Sequence, residues 1–164
     1  MSSSDLDVIK RVYAAFETYD FGVIEEVFDP RVEIWQSELL PWGGRFTGHQ
    51  GAVAFFSGLL SHIKTAVTVD QLIDAGDHVI EVGRTAGTAI ATGAPFDVPE
   101  IHVWRLREGK VVSMHAYIET PAVLEALSEP VLLEAPRRPV LLEPLCQSIL
   151  LVHVTSLVRR VSHR

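Results

Sequence analysis

The chain has 164 residues, of which 48% are hydrophobic and 21% are charged, and its formal net charge at pH 7 is -7. This length and composition predict one globular domain with a substantial core. The negative charge argues against general binding to nucleic acid or to an anionic membrane surface, because both need concentrated positive charge. The single cysteine, Cys146, excludes an internal disulfide, and the N-terminus lacks a basic region followed by an apolar run, so we expect a cytoplasmic protein.

Three helices are predicted in the first part of the chain. Hydrophobic residues recur at helical spacing from about residue 5 to residue 18, after Ser4, a residue type that is favoured at helix N-caps. A short second helix is predicted over residues 21–28, where Pro30 stops it, and a third helix over residues 51–63.

The segments between and after these helices predict strands. Residues 32–36 alternate between apolar and polar side chains, whereas residues 40–48 have the proline and glycine content of a loop. Further strands are predicted over residues 67–73 and 78–90, followed by a hairpin around Glu108-Gly109. Helices followed by a largely antiparallel sheet make an α+β fold.

The predicted hairpin separates two faces of the sheet. A type I turn with Gly109 as the left-handed bulge residue suits both turn positions, because glutamate resists a positive φ. This turn pairs Leu106 with Lys110 and brings His102 opposite Met114. One face is then apolar with a single titratable group, and it consists of His102, Trp104, Leu106, Val112, Met114, Ala116 and Ile118.

Residues 128–164 form a C-terminal extension that follows the predicted domain of residues 1–127. A Pro-Val-Leu-Leu-Glu segment occurs at residues 130–134 and again at residues 139–143, and its prolines disfavour a continuous helix or a central strand. The apolar stretch that follows is interrupted by polar residues and is too short to span a bilayer. We interpret the extension as a tail that packs on its own domain or is partly disordered, or that docks onto a partner.

Five sequence features resemble a known family in both content and order: Asp20 after the first helix, Val27-Phe-Asp29, residues 46–56, Ile73-Asp-Ala-Gly-Asp77 and residues 103–112. Together they resemble the SnoaL-like branch of the nuclear transport factor two-like (ketosteroid isomerase-like) superfamily over about residues 5–127. The resemblance implies an α+β fold in which a curved, mainly antiparallel sheet wraps around three N-terminal helices. It also implies a cone with an apolar cavity, commonly in a homodimer. Members include isomerases, polyketide cyclases, epoxide hydrolases, dehydratases and noncatalytic binding domains, so the fold does not determine the function.

The resemblance places unusual residues at the family's catalytic positions. In ketosteroid isomerase an Asp base acts with a Tyr and a protonated Asp, and the matching positions here are Gln36 for the base, Val12 for the tyrosine and His102 for the protonated acid. Ala116 similarly stands where cyclase-like and hydrolase-like relatives carry an acidic residue. The usual acid/base sets are therefore absent. A slip of one residue in the first helix would bring Tyr13 into the cavity instead of Val12.

His102 is the best single candidate for a catalytic residue. A histidine on an apolar wall can act as an acid, a base or a hydrogen-bond donor to a ligand carbonyl, although it can equally be a satisfied core residue. Gln36 is expected to assist it by orienting a carbonyl or a water molecule; the alternative is a surface strand glutamine. The ligand is expected to be a small hydrophobic or cyclic molecule. Its predicted contacts, which can also be simple core residues, are Val12, Phe16, Trp35, Trp42, Phe56, Trp104, Met114, Ala116 and Ile118.

No metal and no other cofactor is predicted. The histidines contain no His-x-His or His-x-x-x-His pair, the one cysteine has no cysteine partner, and the glycines do not form a phosphate-binding loop. Trp42 lies in a Pro/Gly loop that, by the resemblance, crosses the cavity mouth as a lid. Three functions remain: a cofactor-independent isomerase, cyclase or hydrolase that uses His102, a noncatalytic small-molecule binder, and a dimerisation module whose tail docks onto a partner.

Overall fold

The computed structural model describes residues 5–128, so the predictions for the C-terminal tail lie outside the described residues. The three predicted N-terminal helices are confirmed as α1 (Asp5–Glu17), α2 (Gly22–Val27) and α3 (Gly48–His62), and a further helix, α4 (Thr120–Leu127), follows the sheet. The strands are β1 (Phe28–Gln36), β2 (Gly44–Thr47), β3 (Ile63–Asp74), β4 (His78–Ala89), β5 (Pro95–Arg107) and β6 (Lys110–Ile118).

The six strands form one curved, open sheet in the order β2-β1-β6-β5-β4-β3. All neighbouring strands run antiparallel except β1 and β6, which pair in parallel. The helix α1 contacts β3 and β4, and α3 contacts β1, β2 and β3. The predicted α+β architecture is therefore confirmed, and the face of the sheet that the helices cover is called the inner face below.

The core lies between the helices and the inner face. Val8, Ile9 and Val12 of α1 are at most 4% exposed, as the helical spacing predicts. On β5 the buried residues alternate along the strand, so every second side chain points inward. Among the helices within residues 5–128, none has the length and apolar content that a membrane crossing requires.

The loop predicted over residues 40–48 contains a strand, so that prediction was wrong for part of the segment. Residues Gly44–Thr47 form β2, which pairs with β1 from Glu33 to Gln36. Four residues are too few to show a strand pattern beside two glycines, and Gly44 has a φ of 135 that other residues rarely adopt.

The turn of the β5–β6 hairpin also differs from the prediction. Glu108 and Gly109 have φ values of 53° and 72°, so both occupy the left-handed region. They form a two-residue turn that pairs Arg107 with Lys110. The predicted pairing of Leu106 with Lys110 was wrong. The tight turn is compatible with the twist of the strands, and it holds Glu108 in a conformation that costs about 1 kcal/mol for a residue other than glycine.

A bulge at Val112 then changes the alignment of the two strands. Arg105 pairs with Ser113 and Leu106 with Val111, so Val112 is the additional residue of β6. As a consequence Val111 is buried in place of Val112. Beyond the bulge His102 lies opposite Ala116 rather than Met114, which corrects the predicted register by two residues and leaves the inward face of both strands unchanged.

Candidate functional site

Four neighbouring strands place one residue each in a row across the inner face. Glu81 of β4 pairs with His102 of β5, His102 pairs with Ala116 of β6, and Ala116 pairs with Gln36 of β1. The adjacent row consists of apolar residues that are at most 2% exposed: Val79, Trp104, Met114 and Ile34. The polar row therefore lies directly beside a closed apolar core.

His102 is held by a hydrogen-bonded chain that begins in the core. The indole Nε1 of Trp104 donates to the hydroxyl oxygen of Tyr13 at 3.0 Å, and this hydroxyl lies 2.7 Å from Nδ1 of His102. The rings of Tyr13 and His102 are nearly parallel, with 8° between their planes. Val12, the residue that the resemblance aligned with the catalytic tyrosine, is fully buried, whereas the adjacent Tyr13, the one-residue alternative, contacts His102.

Two carboxyl groups flank the imidazole of His102. Oε2 of Glu81 lies 3.5 Å from Nδ1 and accepts a 3.3 Å hydrogen bond from the backbone N–H of His102. Oε2 of Glu100 lies 3.5 Å from Nε2. Glu81 is 0% exposed and Glu100 is 4% exposed. The expectation of a single titratable group on this face was therefore wrong, because Glu100 shares the inward direction of His102 and β4 adds Glu81.

Each carboxyl group has one oxygen without a partner. Oε1 of Glu81 and Oε1 of Glu100 are buried and make no hydrogen bond to any of the described residues. Within residues 5–128 every lysine and arginine side chain is exposed, so no cationic side chain of this part of the chain is buried beside the two groups. Unpaired buried carboxylates are costly, because the interior replaces few of their bonds to water.

Burial changes the proton affinity of all four groups in the cluster. It raises the pKa of Glu81 to about 7, and burial together with the charge of Glu81 raises the pKa of Glu100 to about 8. Burial lowers the pKa of His102 to about 4, so the imidazole is neutral at neutral pH. Burial and the nearby charge of Glu81 raise the pKa of Tyr13, which keeps the phenol protonated.

Gly83 provides the space in which the Glu81 carboxyl group lies. A Cβ atom at this position would meet Oε1 of Glu81 at 2.3 Å and the backbone oxygen of Thr68 at 2.2 Å. The neighbouring strand β3 has a bulge between Val69 and Gln71, on the side where Gly83 pairs. A glycine inside a strand and a bulge beside it are typical of sites where the backbone and a polar side chain approach closely.

Gln36 lies in the same row as His102 but does not contact it. Ala116 separates the two residues, which leaves about two strand spacings, or roughly 10 Å, between their backbones. The side-chain oxygen of Gln36 accepts a 2.7 Å hydrogen bond from Nε1 of Trp42, and both residues are 3% exposed. Trp42 also packs beside the ring of His62, so the residue predicted as a lid is buried against the end of α3.

Trp35 was wrongly assigned to the cavity. It alternates with the inward-facing Ile34 and Gln36 on β1, so its side chain lies on the outer face. There its ring contacts those of His115 and Tyr117, with centroid distances of 5.8 and 5.4 Å. A period of two cannot place both Trp35 and Gln36 on the same side of one strand.

The remaining predicted ligand contacts lie inside or at the edge of the core. Val12, Trp104, Met114 and Ala116 are at most 3% exposed, and Ile118 is partly buried. The rings of Phe16 and Phe56 pack with their centroids 4.7 Å apart. Two surface depressions lie elsewhere: one on the outer face beside Arg105 and Asp77, and one between α2 and α3 beside Phe21 and His49.

Three residues of the cluster have the spacing of metal ligands. Glu81, Glu100 and His102 each offer one ligand atom, and these atoms lie within 4.8 Å of one another. This group could not be predicted from paired histidines or cysteines, because it contains one histidine and two glutamates. The available signal was Glu100-x-His102 on one strand, since residues two apart share a face.

The fold defines a class of protein. The six-stranded open sheet with helices on its inner face is the nuclear transport factor two-like fold, and solved structures of this class superpose on the chain. The family model described as "SnoaL-like domain" matches residues 9–114, and the chain therefore belongs to the SnoaL-like family. No curated protein matches the sequence.

Three solved structures illustrate the similarity. An NTF2-like protein from Burkholderia thailandensis E264 is 29% identical, with a TM-score of 0.72, and the match covers 76% of this chain and 98% of that one. TerC, co-crystallised with polyporic acid, is 25% identical with a TM-score of 0.70, over 75% and 97% of the two chains. A putative SnoaL-like polyketide cyclase from Jannaschia sp. CCS1 is 21% identical with a TM-score of 0.69, over 77% and 92%.

Proposed function

We propose that this protein binds a small, mainly apolar, ring-containing molecule against the inner face of its sheet and acts on an oxygen-bearing group of that molecule. The observation that carries the proposal is the hydrogen-bonded chain from Trp104 through Tyr13 to His102. A buried indole and a buried phenol orient one imidazole whose side chain keeps 12% of its surface exposed. Such support from neighbouring side chains is typical of groups that must meet a ligand in one geometry.

The free edge of the imidazole determines what the cluster does. Nδ1 faces Tyr13, so Nε2 is the nitrogen that is left for a ligand, with the Glu100 carboxyl group 3.5 Å away. An oxygen atom of the ligand placed there receives a hydrogen bond from Nε2–H of the neutral imidazole, which stabilises negative charge that develops on the oxygen. Isomerisation, cyclisation and epoxide opening all need this kind of stabilisation.

The chemistry of the lining supports an apolar ring system as the ligand. Phe16 packs against Tyr13 and Phe56, and aromatic side chains of this kind stack well on flat ligands. The similarity to TerC, which was co-crystallised with polyporic acid, supports the same ligand class.

A noncatalytic binder is the second candidate. Two residues favour it because neither can act as an acid or a base on a ligand. The side-chain oxygen of Gln36 already accepts a hydrogen bond from Trp42, and Ala116 has no titratable group. In that case His102 and Tyr13 only bind a ligand oxygen.

Variants of the two residues distinguish these functions. Ligand binding and turnover are measured with polyporic acid, a ketosteroid and an aromatic epoxide for His102→Ala and Tyr13→Phe. His78→Ala, at a partly exposed histidine outside the cluster, is the control. The enzyme proposal expects turnover to fall by roughly 100-fold or more in His102→Ala while affinity changes little. A loss of ligand affinity without a separate effect on turnover would establish the noncatalytic binder. Unchanged turnover and unchanged affinity in both variants would reject the proposed site.

We also propose that a second copy of the chain covers the outer face of the sheet. A row of apolar and aromatic residues crosses that face from Trp35 through His115 and Val103 to Ile80 and Ile73. Beside it Ile101 and Tyr117 are 42% and 47% exposed. Contiguous exposed apolar surface of this kind favours association.

A further inference from the structure

The cluster around His102 has the composition of a cation site. Three ligand atoms from Glu81, Glu100 and His102 lie within 4.8 Å of one another at the inner face. We propose that these three residues bind one divalent transition-metal ion, Zn²⁺ or Mn²⁺. The chemical use of the ion rests on the proposed function. The binding of the ion does not depend on any substrate.

The unpartnered carboxyl oxygens are the observation that points to an ion rather than to an ordinary acidic cluster. Oε1 of Glu81 and Oε1 of Glu100 are buried without a hydrogen bond to any residue of the range 5–128. Two such groups side by side need a proton or a cation as their partner, and every lysine and arginine within the same range is exposed. A divalent cation between the carboxyl groups supplies that partner and accepts both oxygens as ligands.

The surroundings of the three residues hold them in the orientation that a metal requires. When the ion is bound, Nδ1–H of His102 donates to the hydroxyl oxygen of Tyr13, which lies 2.7 Å away, and the unprotonated Nε2 is the ligand atom. The backbone N–H of His102 donates to Oε2 of Glu81. Hydrogen bonds from outside the coordination sphere to the second histidine nitrogen and to ligating carboxylates are a general property of metal sites.

The donor set selects the kind of ion. One imidazole and two carboxylates suit Zn²⁺ and Mn²⁺, whereas Mg²⁺ and Ca²⁺ prefer oxygen ligands alone. Three protein ligands leave at least one position for water or for an oxygen of the ligand, which is the arrangement of catalytic rather than structural zinc sites. An ion in this position polarises the bound oxygen as a Lewis acid, so it performs the stabilisation that the proposed function needs.

Metal titration of the whole chain tests the proposal. The purified protein is stripped with EDTA and titrated with Zn²⁺ and with Mn²⁺ by isothermal titration calorimetry at about pH 8, where the carboxyl groups release protons more readily. We expect one ion per chain. Affinity is expected to fall by roughly 100-fold or more in Glu81→Gln and Glu100→Gln, and by about 10-fold in Tyr13→Phe. Glu33→Gln, the same change on the exposed outer face, should bind like the unmodified protein.

Two results would overturn the proposal. One is the absence of saturable one-to-one binding of either ion up to about 100 µM, which would mean that protons alone satisfy the carboxyl pair. The other is unchanged affinity in a folded Glu100→Gln or His102→Gln variant, which would place the ion elsewhere. The glutamine variants of Glu81, Glu100 and His102 each remove one ligand, and circular dichroism checks that each variant folds. If one of them does not fold, the other two still test the proposed site. Metal binding without any effect of His102→Ala on turnover would reject the proposed function alone.

Discussion

The hydroxyl of Tyr13 lies 2.7 Å from Nδ1 of His102, so a residue of the first helix and a residue 89 positions later in β5 share one hydrogen bond. The same hydroxyl accepts a hydrogen bond from the indole N–H of Trp104. One atom therefore joins α1 to two residues of the same strand, and its removal affects both of them.

Tyr13→Phe should destabilise the protein by about 1–3 kcal/mol, because Trp104 and His102 lose a buried partner while the ring volume is kept. Urea unfolding measures this change. Tyr19→Phe is the matched control, since Tyr19 is 54% exposed in the turn after α1, and it should change stability by less than about 0.5 kcal/mol. Equal effects of the two substitutions would show that the hydroxyl of Tyr13 does not stabilise the fold.

The buried carboxyl groups predict that the metal-free protein loses stability as pH rises. The pKa of Glu100 is raised to about 8 in the folded protein from an ordinary value of 4.5, mainly by burial. The folded state thus holds a proton that the unfolded state releases, and the stabilisation is complete below about pH 4.5 and is lost as pH rises toward 8. Each such group lowers the free energy of unfolding by at most about 1.4 kcal/mol per pH unit within this window.

Thermal unfolding in EDTA across this pH range measures the effect. Glu100→Gln should flatten the decline, because glutamine has no proton to lose, whereas Glu33→Gln on the outer face should retain it. A wild-type melting temperature that stays constant between about pH 5 and pH 9 would contradict the prediction. His102 acts in the opposite direction, since its lowered pKa gives stability that is present above about pH 6.5 and lost as pH falls toward 4.

Gly83→Ala should disturb Glu81 specifically. The new Cβ would meet Oε1 of Glu81 and the backbone oxygen of Thr68, so the carboxyl group has to move and the strand has to shift. We expect a destabilisation of about 1–3 kcal/mol and weaker metal binding. Gly58→Ala is the control. Gly58 lies in α3, and a Cβ atom there would meet Trp42 at an ordinary distance of 3.5 Å, so this substitution should leave stability unchanged or slightly raised. Metal affinity that survives Gly83→Ala would contradict the assignment of Glu81 as a ligand.

The proposed homodimer predicts a difference between two exposed apolar residues. Tyr117→Asp places a charge in the outer-face row and should convert a dimer into a monomer, which light scattering coupled to size-exclusion chromatography detects. Val53→Asp, at a residue of α3 that is 48% exposed, should leave the mass unchanged. A wild-type protein that elutes as a monomer, or a dimer that persists in Tyr117→Asp, would reject this interface.

Periodicity predicted the elements of the fold well, because the long helices and the hairpin carry strong patterns. The spacing of Val8, Ile9 and Val12 determined α1, and the alternation of β5 placed His102 on the inner face. Short or irregular features were missed, such as the four-residue strand β2 and the bulge at Val112. These depend on pairing with a neighbouring strand, which one sequence does not show.

The candidate site was harder to predict from the sequence than the fold. His102 was found as a histidine on an apolar strand face, but Glu81 was not, because apolar residues occur on both sides of β4 and obscure which direction is inward: Val79 is buried while Ile80 and Val82 are partly buried. Its proximity to Glu100 arises only when β4 and β5 pair. Tyr13 was an open alternative to Val12, since two adjacent helix residues differ in direction by about 100° and sequence matching is uncertain by one position.

The row of Glu81, His102, Ala116 and Gln36 takes one residue from each of four adjacent strands. A slip of one residue in any of these pairings would turn a member of the row to the opposite side of the sheet. Partly assembled forms of the sheet therefore lack the cluster, and anything that binds there selects the fully paired state. Amide hydrogen exchange in all four strands should slow together upon binding, as a cooperative unit does when its open form cannot hold the ligand.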